Sequence, residues 1–221
     1  MRVEIWSDVV CPWCFIGKRH FEQALERFEH ADEVVVHWRS FELDPSHPGA
    51  FDGDLSDALA AKYGSSREQA RSMIDGMSER AAGVGLKYDL HSAVPANTFD
   101  AHRLIHFATA HGLQDATEER LFTAYMSDGA DIGDRATLVR LAGEIGLDVA
   151  AAEGVLAGGE YADAVRADER LAGERGVTGV PFFVIDGAFA ISGAQPPELM
   201  LSGLRQAYAA GAAETPVVGA A

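Results

Sequence analysis

Only two cysteines occur in the 221 residues, so the chain cannot build a disulfide-rich secreted scaffold. They stand three apart, at Cys11 and Cys14, too close to staple distant segments. No apolar run approaches the roughly 18 residues of a membrane span. The opening Met1-Arg2-Val3-Glu4-Ile5-Trp6 has no apolar core of a signal peptide and no small-residue cleavage site. The chain is therefore expected to be cytoplasmic, with no membrane partner. Basic residues are also scarce: 18 Lys and Arg stand against 34 Asp and Glu, a formal net charge of −16. That excess argues against nucleic acid or anionic lipid as a partner held by bulk charge. Its ordinary meaning is solubility. No internal repeat is visible.

A hydrophobic fraction of 48% and a charged fraction of 24% are those of an ordinary globular protein. The length suits one domain, or one domain carrying a large insertion, and can bury a core without metal or disulfide support.

Residues 2–7 alternate apolar and polar and predict a strand. Asp8 to Pro12 turns the chain. Pro12 suits the first turn of a helix, where its missing N–H costs nothing. Phe15, Phe21, Leu25 and Phe28 then recur at helical spacing to about residue 30. Val34-Val35-Val36-His37-Trp38 predicts a second strand within 33–41, and its near-continuous apolar start suggests burial on both faces. Strand, helix, strand implies a parallel pair with a right-handed crossover.

From Leu43 the pattern changes. After a Pro- and Gly-containing loop, helices are predicted near 55–63, 66–82, 98–110, 115–127, 135–145 and 148–157. Gly64, Gly83, Gly112, Gly129, Gly146 and Gly158 fall near their ends. Asn97 and Asp134 are candidate N-caps. A further helix fits 160–175. Phe182-Phe183-Val184-Ile185, then Asp186-Gly187, then 188–192 predict a β-hairpin, and a last helix runs from Pro196-Pro197 to about 210. The strands come from both ends of the chain, so one α/β sheet must be assembled around an all-helical insertion. The expected division is a discontinuous domain of residues 1–43 and 160–210, an inserted helical subdomain of 44–159, and a flexible tail of 211–221.

The chemistry lies at Cys11-Pro12-Trp13-Cys14, where the first strand gives way to the first helix. A C-x-x-C beside a β-α-β pattern reads as a redox motif. At a helix N-terminus the dipole and free N–H groups favour a thiolate at Cys11, the attacking species in disulfide exchange. Cys14, one turn on, is placed to resolve a mixed disulfide. A zinc site would need four ligands, and no second Cys pair exists; His20 points elsewhere if the helix holds, so no metal is expected. Two incidental thiols are the remaining bland reading. Val180-Pro181 precedes a strand, where an X-Pro bond is either a plain turn or a cis bond at a functional one.

Strand, C-P-x-C, helix, strand, helical insertion, Gly-Val-Pro, hairpin and helix together resemble the thioredoxin fold in its DsbA-like form: a central mixed sheet flanked by helices, with a large helical insertion. Ser7 to Gly17, Asn97-Thr98 with Ala101-His102-Arg103-Leu104, and Gly176-Val177-Thr178-Gly179-Val180-Pro181 are similar to the FrnE-type subfamily. The resemblance implies a thiol–disulfide oxidoreductase or isomerase acting on protein, peptide or small-thiol disulfides. It exchanges electrons with thiols, glutathione among them, and uses no other cofactor. Cys11 would be the nucleophile, Cys14 the resolving thiol and Pro181 a cis-proline facing the pair. Val180 would offer backbone groups to an extended substrate strand. Trp13, beside Pro12, would be an exposed substrate platform, whereas Trp6 and Trp38 look like packing residues.

The chain departs from that family at three places. The acidic residue found six positions before the first cysteine is here Ile5, and Glu4 need not replace it because a strand alternates its faces. The acceptor of the Cys14 proton is thus unassigned. Pro-Trp replaces the Pro-His of DsbA, which predicts a weaker oxidant. No C-terminal cysteines provide a second disulfide. Asn97 and His102 have either a substrate role or a structural one, as a cap and a histidine satisfied between subdomains. Two other functions remain on the same fold. One is a glutathione-dependent isomerase of the 2-hydroxychromene-2-carboxylate type, which generally has Ser where Cys11 stands. The other is a non-catalytic peptide-binding module. The sequence leaves the oligomeric state open.

Overall fold

A computed structural model describes residues 1–49 and 53–214 of the chain. β1 is Arg2–Ser7, α1 Pro12–Leu25 and β2 Val35–Ser40, with a 3-10 turn at Ala31–Glu33. The helical block follows as α2 (Leu55–Tyr63), α3 (Arg67–Ala82), α4 (Phe99–Thr109), α5 (Gln114–Met126), α6 (Arg135–Glu144) and α7 (Val149–Ala157). The chain returns through α8 (Ala162–Glu174), the hairpin β3 (Phe182–Ile185) and β4 (Phe189–Ser192), and α9 (Pro197–Glu214). The last helix thus runs past residue 210, into the expected tail. Residues 215–221 of that tail lie outside the described residues.

The sheet order is β2-β1-β3-β4. β1 and β2 are parallel, with Ile5 opposite Trp38, and the other two pairings are antiparallel. β1 is central and buried from Val3 onward. Its alternation sorts the two layers. Val3 and Ile5 join Phe21, Phe28, Phe183 and Leu204 under α1 and α9. Trp6 packs with Ala172 and Val184 under α8, and its indole N–H donates to the Asp168 carbonyl at 3.1 Å. The hairpin turns where Asp186 and Gly187 both take positive φ, +48° and +72°, as a two-residue turn of this hand requires.

β2 corrects one expectation. It is an edge strand and Val35 is exposed, so the apolar run did not mean burial on both faces. The edge is closed by side chains instead. The Gln114 side-chain amide accepts from Trp38 N–H at 3.1 Å and donates to Trp38 C=O at 2.9 Å. Asp168 accepts from Ser40 N–H at 3.1 Å. The Trp38 N–H and C=O and the Ser40 N–H, which another strand could otherwise recruit, are thus satisfied within the chain.

Most of the predicted helix boundaries hold to within a residue or two. Asp134 caps α6 by accepting from Thr137 N–H. The cap residue of α4 is Thr98 rather than Asn97, although Asn97 Oδ1 accepts from Phe99 N–H at 3.0 Å. Gly83 and Gly158 are not left-handed, whereas Gly64, Gly112, Gly129 and Gly146 have positive φ. Among the described residues no helix is long and apolar enough to cross a membrane.

Two packing facts set the site. The core of the helical block extends onto the start of α1: Val9, Cys11, Cys14, Phe15 and Ile16 belong to it, together with Leu104, Phe122 and Tyr125. Phe15 stacks on Phe122 with ring centroids 4.9 Å apart and planes 8° apart. Burying two such rings contributes on the order of 2 kcal/mol each and fixes the orientation of the α1 N-terminus.

Candidate active site

Cys11 is the N-cap residue of α1 and Pro12 its first helical residue. The turn before it is closed by Cys11 N–H donating to Asp8 C=O at 2.9 Å, and the turn after it by Cys14 N–H donating to Cys11 C=O at 3.0 Å. Both sulfurs are free thiols and both are buried. They differ in their surroundings. Cys11 Sγ lies 3.5 Å from the Val180 carbonyl oxygen. Cys14 faces inward. Burial pushes its thiol well above the ordinary cysteine value, and a hydrogen bond with Cys11 and the Cys11 charge add to this. The Asp8 backbone N–H and the Ser7 hydroxyl act the other way, favouring the thiolate. Ser7 Oγ makes no closed hydrogen bond, so it is free to turn to the sulfur.

The Val180–Pro181 peptide bond is cis. Pro181 approaches α1 closely because position 17 has no side chain. A Cβ built on Gly17 would stand 2.8 Å from Pro181 Cγ and 3.5 Å from both Ala194 Cβ and the Phe183 ring. The predicted residues Cys11, Cys14, Val180 and Pro181 are therefore brought together, although about 170 residues of sequence separate the two halves.

Pro12 and Trp13 form the outer lip. The Pro12 carbonyl accepts the Tyr88 hydroxyl at 2.8 Å, which ties the lip to the segment after α3. Burial, then the nearby charges of Cys11 and Cys14, holds Tyr88 in its protonated, donating form. Trp13 is 41% exposed, whereas Trp6 and Trp38 are buried. The Arg80 guanidinium lies 5.9 Å from the Trp13 ring. His20 bonds the Ala194 and Gln195 carbonyls, away from the sulfurs. Among the described residues no group of three or more His, Cys, Asp and Glu side chains is arranged to hold a metal ion.

The two acidic residues near the motif divide as the strand dictates. Glu4 lies on the α8 face and is engaged by Arg39 (Nε to Oε1, 3.0 Å), Arg2 (3.1 Å) and Arg175 (3.3 Å). Burial raises its carboxyl, but the Arg39 hydrogen bond and the three guanidinium charges bring it below the ordinary value. Asp8 lies behind the cysteines and is 1% exposed. It faces His102, also 1% exposed, with Nε2 3.5 Å from Oδ1. His102 thus has no access to a substrate in the cleft, and as a structural group its Nε2 has no closed hydrogen bond. Glu118, from α5, is buried beside them, and burial pushes its carboxyl up to about 8. Sequence reasoning missed Glu118, because its charge and its helical setting gave no sign of burial.

Comparison with known proteins matches the fold. Residues 2–205 fit the family model of the DSBA-like thioredoxin domain. A probable DsbA oxidoreductase from Streptomyces coelicolor superposes with a TM-score of 0.90 at 44% identity, covering 100% of this chain and 94% of that one. The protein YwbO of Bacillus subtilis is 32% identical over 186 residues, 84% of this chain and 86% of YwbO. A 2-hydroxychromene-2-carboxylate isomerase shares the fold alone, with a TM-score of 0.70 at 15% identity over 98% of this chain and 100% of its own. A mixed sheet with a cysteine pair at the head of α1 and a helical insertion defines a protein of the thioredoxin-fold class. Within that class, the chain belongs to the DsbA-like family.

Proposed function

We propose that this chain exchanges dithiol for disulfide through Cys11 and Cys14, in the manner of the FrnE-type proteins. The observation that carries the reading is the asymmetry of the pair. Cys11 sits at the positive end of α1, against the Val180 carbonyl. Cys14 is sealed behind it and kept as a thiol by burial. Cys11 attacks a substrate disulfide, releases one thiolate and holds the other half as a mixed disulfide. Cys14 then loses its proton, attacks Cys11 Sγ and releases the second thiolate. Two protein thiols are oxidised and one substrate disulfide is reduced to two thiols; the reverse sequence oxidises a substrate dithiol. No metal or further cofactor takes part, and glutathione is a sufficient small-thiol partner.

An extended peptide pairs its backbone with Val180, displacing the Cys11 thiol from the carbonyl, while Pro181 closes the far wall and Trp13 supports side chains at the lip. Protein and peptide disulfides are thus the substrate class. The test is incubation of the Cys14→Ser variant with oxidised glutathione. It should accumulate one glutathione on Cys11, read by intact mass. The unaltered protein should instead form the internal disulfide without an adduct. An unmodified Cys11 in the variant would refute the reading.

A second reading has one observation in its favour, the shared fold of the hydroxychromene-carboxylate isomerase. A glutathione-dependent isomerase would keep its activity on such a small molecule after Cys14→Ser, because it needs no resolving thiol.

A further inference from the structure

Four polar atoms are sealed behind the cysteine pair without a closed hydrogen bond: Ser7 Oγ, Asp8 Oδ1, His102 Nε2 and Glu118 Oε2. They come from the end of β1, the turn after it, α4 and α5. All four residues are at most 1% exposed. Buried polar atoms are ordinarily satisfied, and an unsatisfied group inside a core costs stability. Their position is specific. Ser7 and the Asp8 backbone N–H both act on the Cys14 sulfur. The other Asp8 oxygen is fixed by Leu43 N–H at 2.7 Å, which leaves Oδ1 to face His102.

On the reading of Cys11 and Cys14 as a dithiol pair, we propose that the buried Asp8–His102 pair accepts the proton that Cys14 must lose before it attacks the mixed disulfide. The acidic position under the first cysteine is Ile5 in this chain, and Glu4 is held by three arginines on the opposite face. Asp8 and His102 supply the missing base from a different turn and a different helix. Cys14 is enclosed, so its proton has no direct exit to water. In the resolving step the proton passes from Cys14 Sγ to the pair, the Cys14 sulfur bonds to Cys11 Sγ, and the bond from Cys11 to the substrate sulfur breaks. The leaving thiolate takes its proton from solvent.

The groups facing the pair set its range. From α5 they are Glu118 and Tyr125, and from the segment after β2 Glu42; Lys18 and Asp115 act on Glu118, and Cys14 of α1 meets Asp8 through the Asp8 backbone N–H. Burial alone would lower the His102 imidazole. The adjacent Asp8, with Glu118 and Glu42 behind it, raises it above its ordinary value.

The test uses an aromatic disulfide that releases a coloured thiolate on each attack, followed by stopped flow from pH 6 to 9. The first release reports Cys11 and the second Cys14. In the shape-conserving Asp8→Asn and in His102→Gln, the ratio of second to first rate constants should fall at least tenfold at pH 7. The second release should also become proportional to hydroxide. A ratio and pH profile equal to those of the unaltered protein would overturn the proposal. A second measurement needs no variant: the nitrogen-15 shifts of the His102 ring, titrated in the dithiol and disulfide forms. Different midpoints are expected, and coincident curves overturn the proposal. If the unaltered protein releases only one thiolate, the dithiol reading itself fails, and the proposal fails with it.

Discussion

Gly17→Ala is the smallest change that reaches the site without touching a cysteine. Gly17 lies in the second turn of α1, and the added Cβ would stand 2.8 Å from Pro181 Cγ. Relief needs a movement of roughly 0.7–1.2 Å, given the usual carbon–carbon separation of about 3.5–4.0 Å. Only the Pro181 segment or α1 itself can supply it, because Ala194 and the Phe183 ring close the remaining sides at 3.5 Å. Overpacking of this kind costs about 1–3 kcal/mol. Replacing a helical glycine by alanine recovers about 1 kcal/mol. The net effect is a loss of up to about 2 kcal/mol, a fall in melting temperature of at most roughly 4–8 °C for a chain of this size. Displacement of Val180 from the Cys11 sulfur should lower the rate of disulfide exchange by about 10–100-fold. Urea unfolding and glutathione-disulfide reduction measure the two effects. A variant stabilised by about 1 kcal/mol with unaltered turnover would show that Pro181 yields freely and that its contact with α1 does not position the site.

Two further outcomes follow from burial. Trp13 should carry nearly all the quenchable fluorescence, because Trp6 and Trp38 are 0% and 3% exposed; acrylamide quenching of Trp13→Phe should fall to the level of a shielded indole, and undiminished quenching would contradict the exposed lip. Glu118 should make stability depend on pH. Its folded-state value of about 8 lies above the ordinary carboxyl value of 4.5, so its neutral form contributes stability that is complete below about 4.5 and is lost as pH rises towards 8. At 1.36 kcal/mol per pH unit over that interval, several kcal/mol are at stake. Glu118→Gln, permanently neutral, should match the unaltered protein near pH 5 and exceed it in urea midpoint at pH 9; parallel pH profiles would refute the burial argument.

Much of the fold was legible because local signals were strong. Pro12 at the head of α1, the Asp186-Gly187 turn and the apolar spacing of the helical block each act within a few residues. The lateral position of β2 was not legible. Val34 to Val36 read as a strand buried on both faces, but Gln114 and Asp168, far along the chain, cover its edge. The cysteine pair was readable from four residues. Its partner segment, Val180-Pro181, was recognisable only through family likeness, since Pro before a strand is more often an ordinary turn. The buried cluster was the least legible. Asp8, His102 and Glu118 share no spacing, and Glu118 stands next to Glu119, a pattern that usually marks a solvated helix face. Only the packing of α4 and α5 behind the cysteines turns these charges inward.

Cys11 and Cys14 should form one reversible two-electron couple. Equilibration of the protein in glutathione buffers of graded ratio, with the disulfide fraction read after acid quenching, tests this directly. The expected result is a single transition whose potential lies below the approximately −120 mV of DsbA, because Trp13 stands where DsbA has a histidine. The absence of any reversible Cys11–Cys14 disulfide across the buffer series would contradict the central claim.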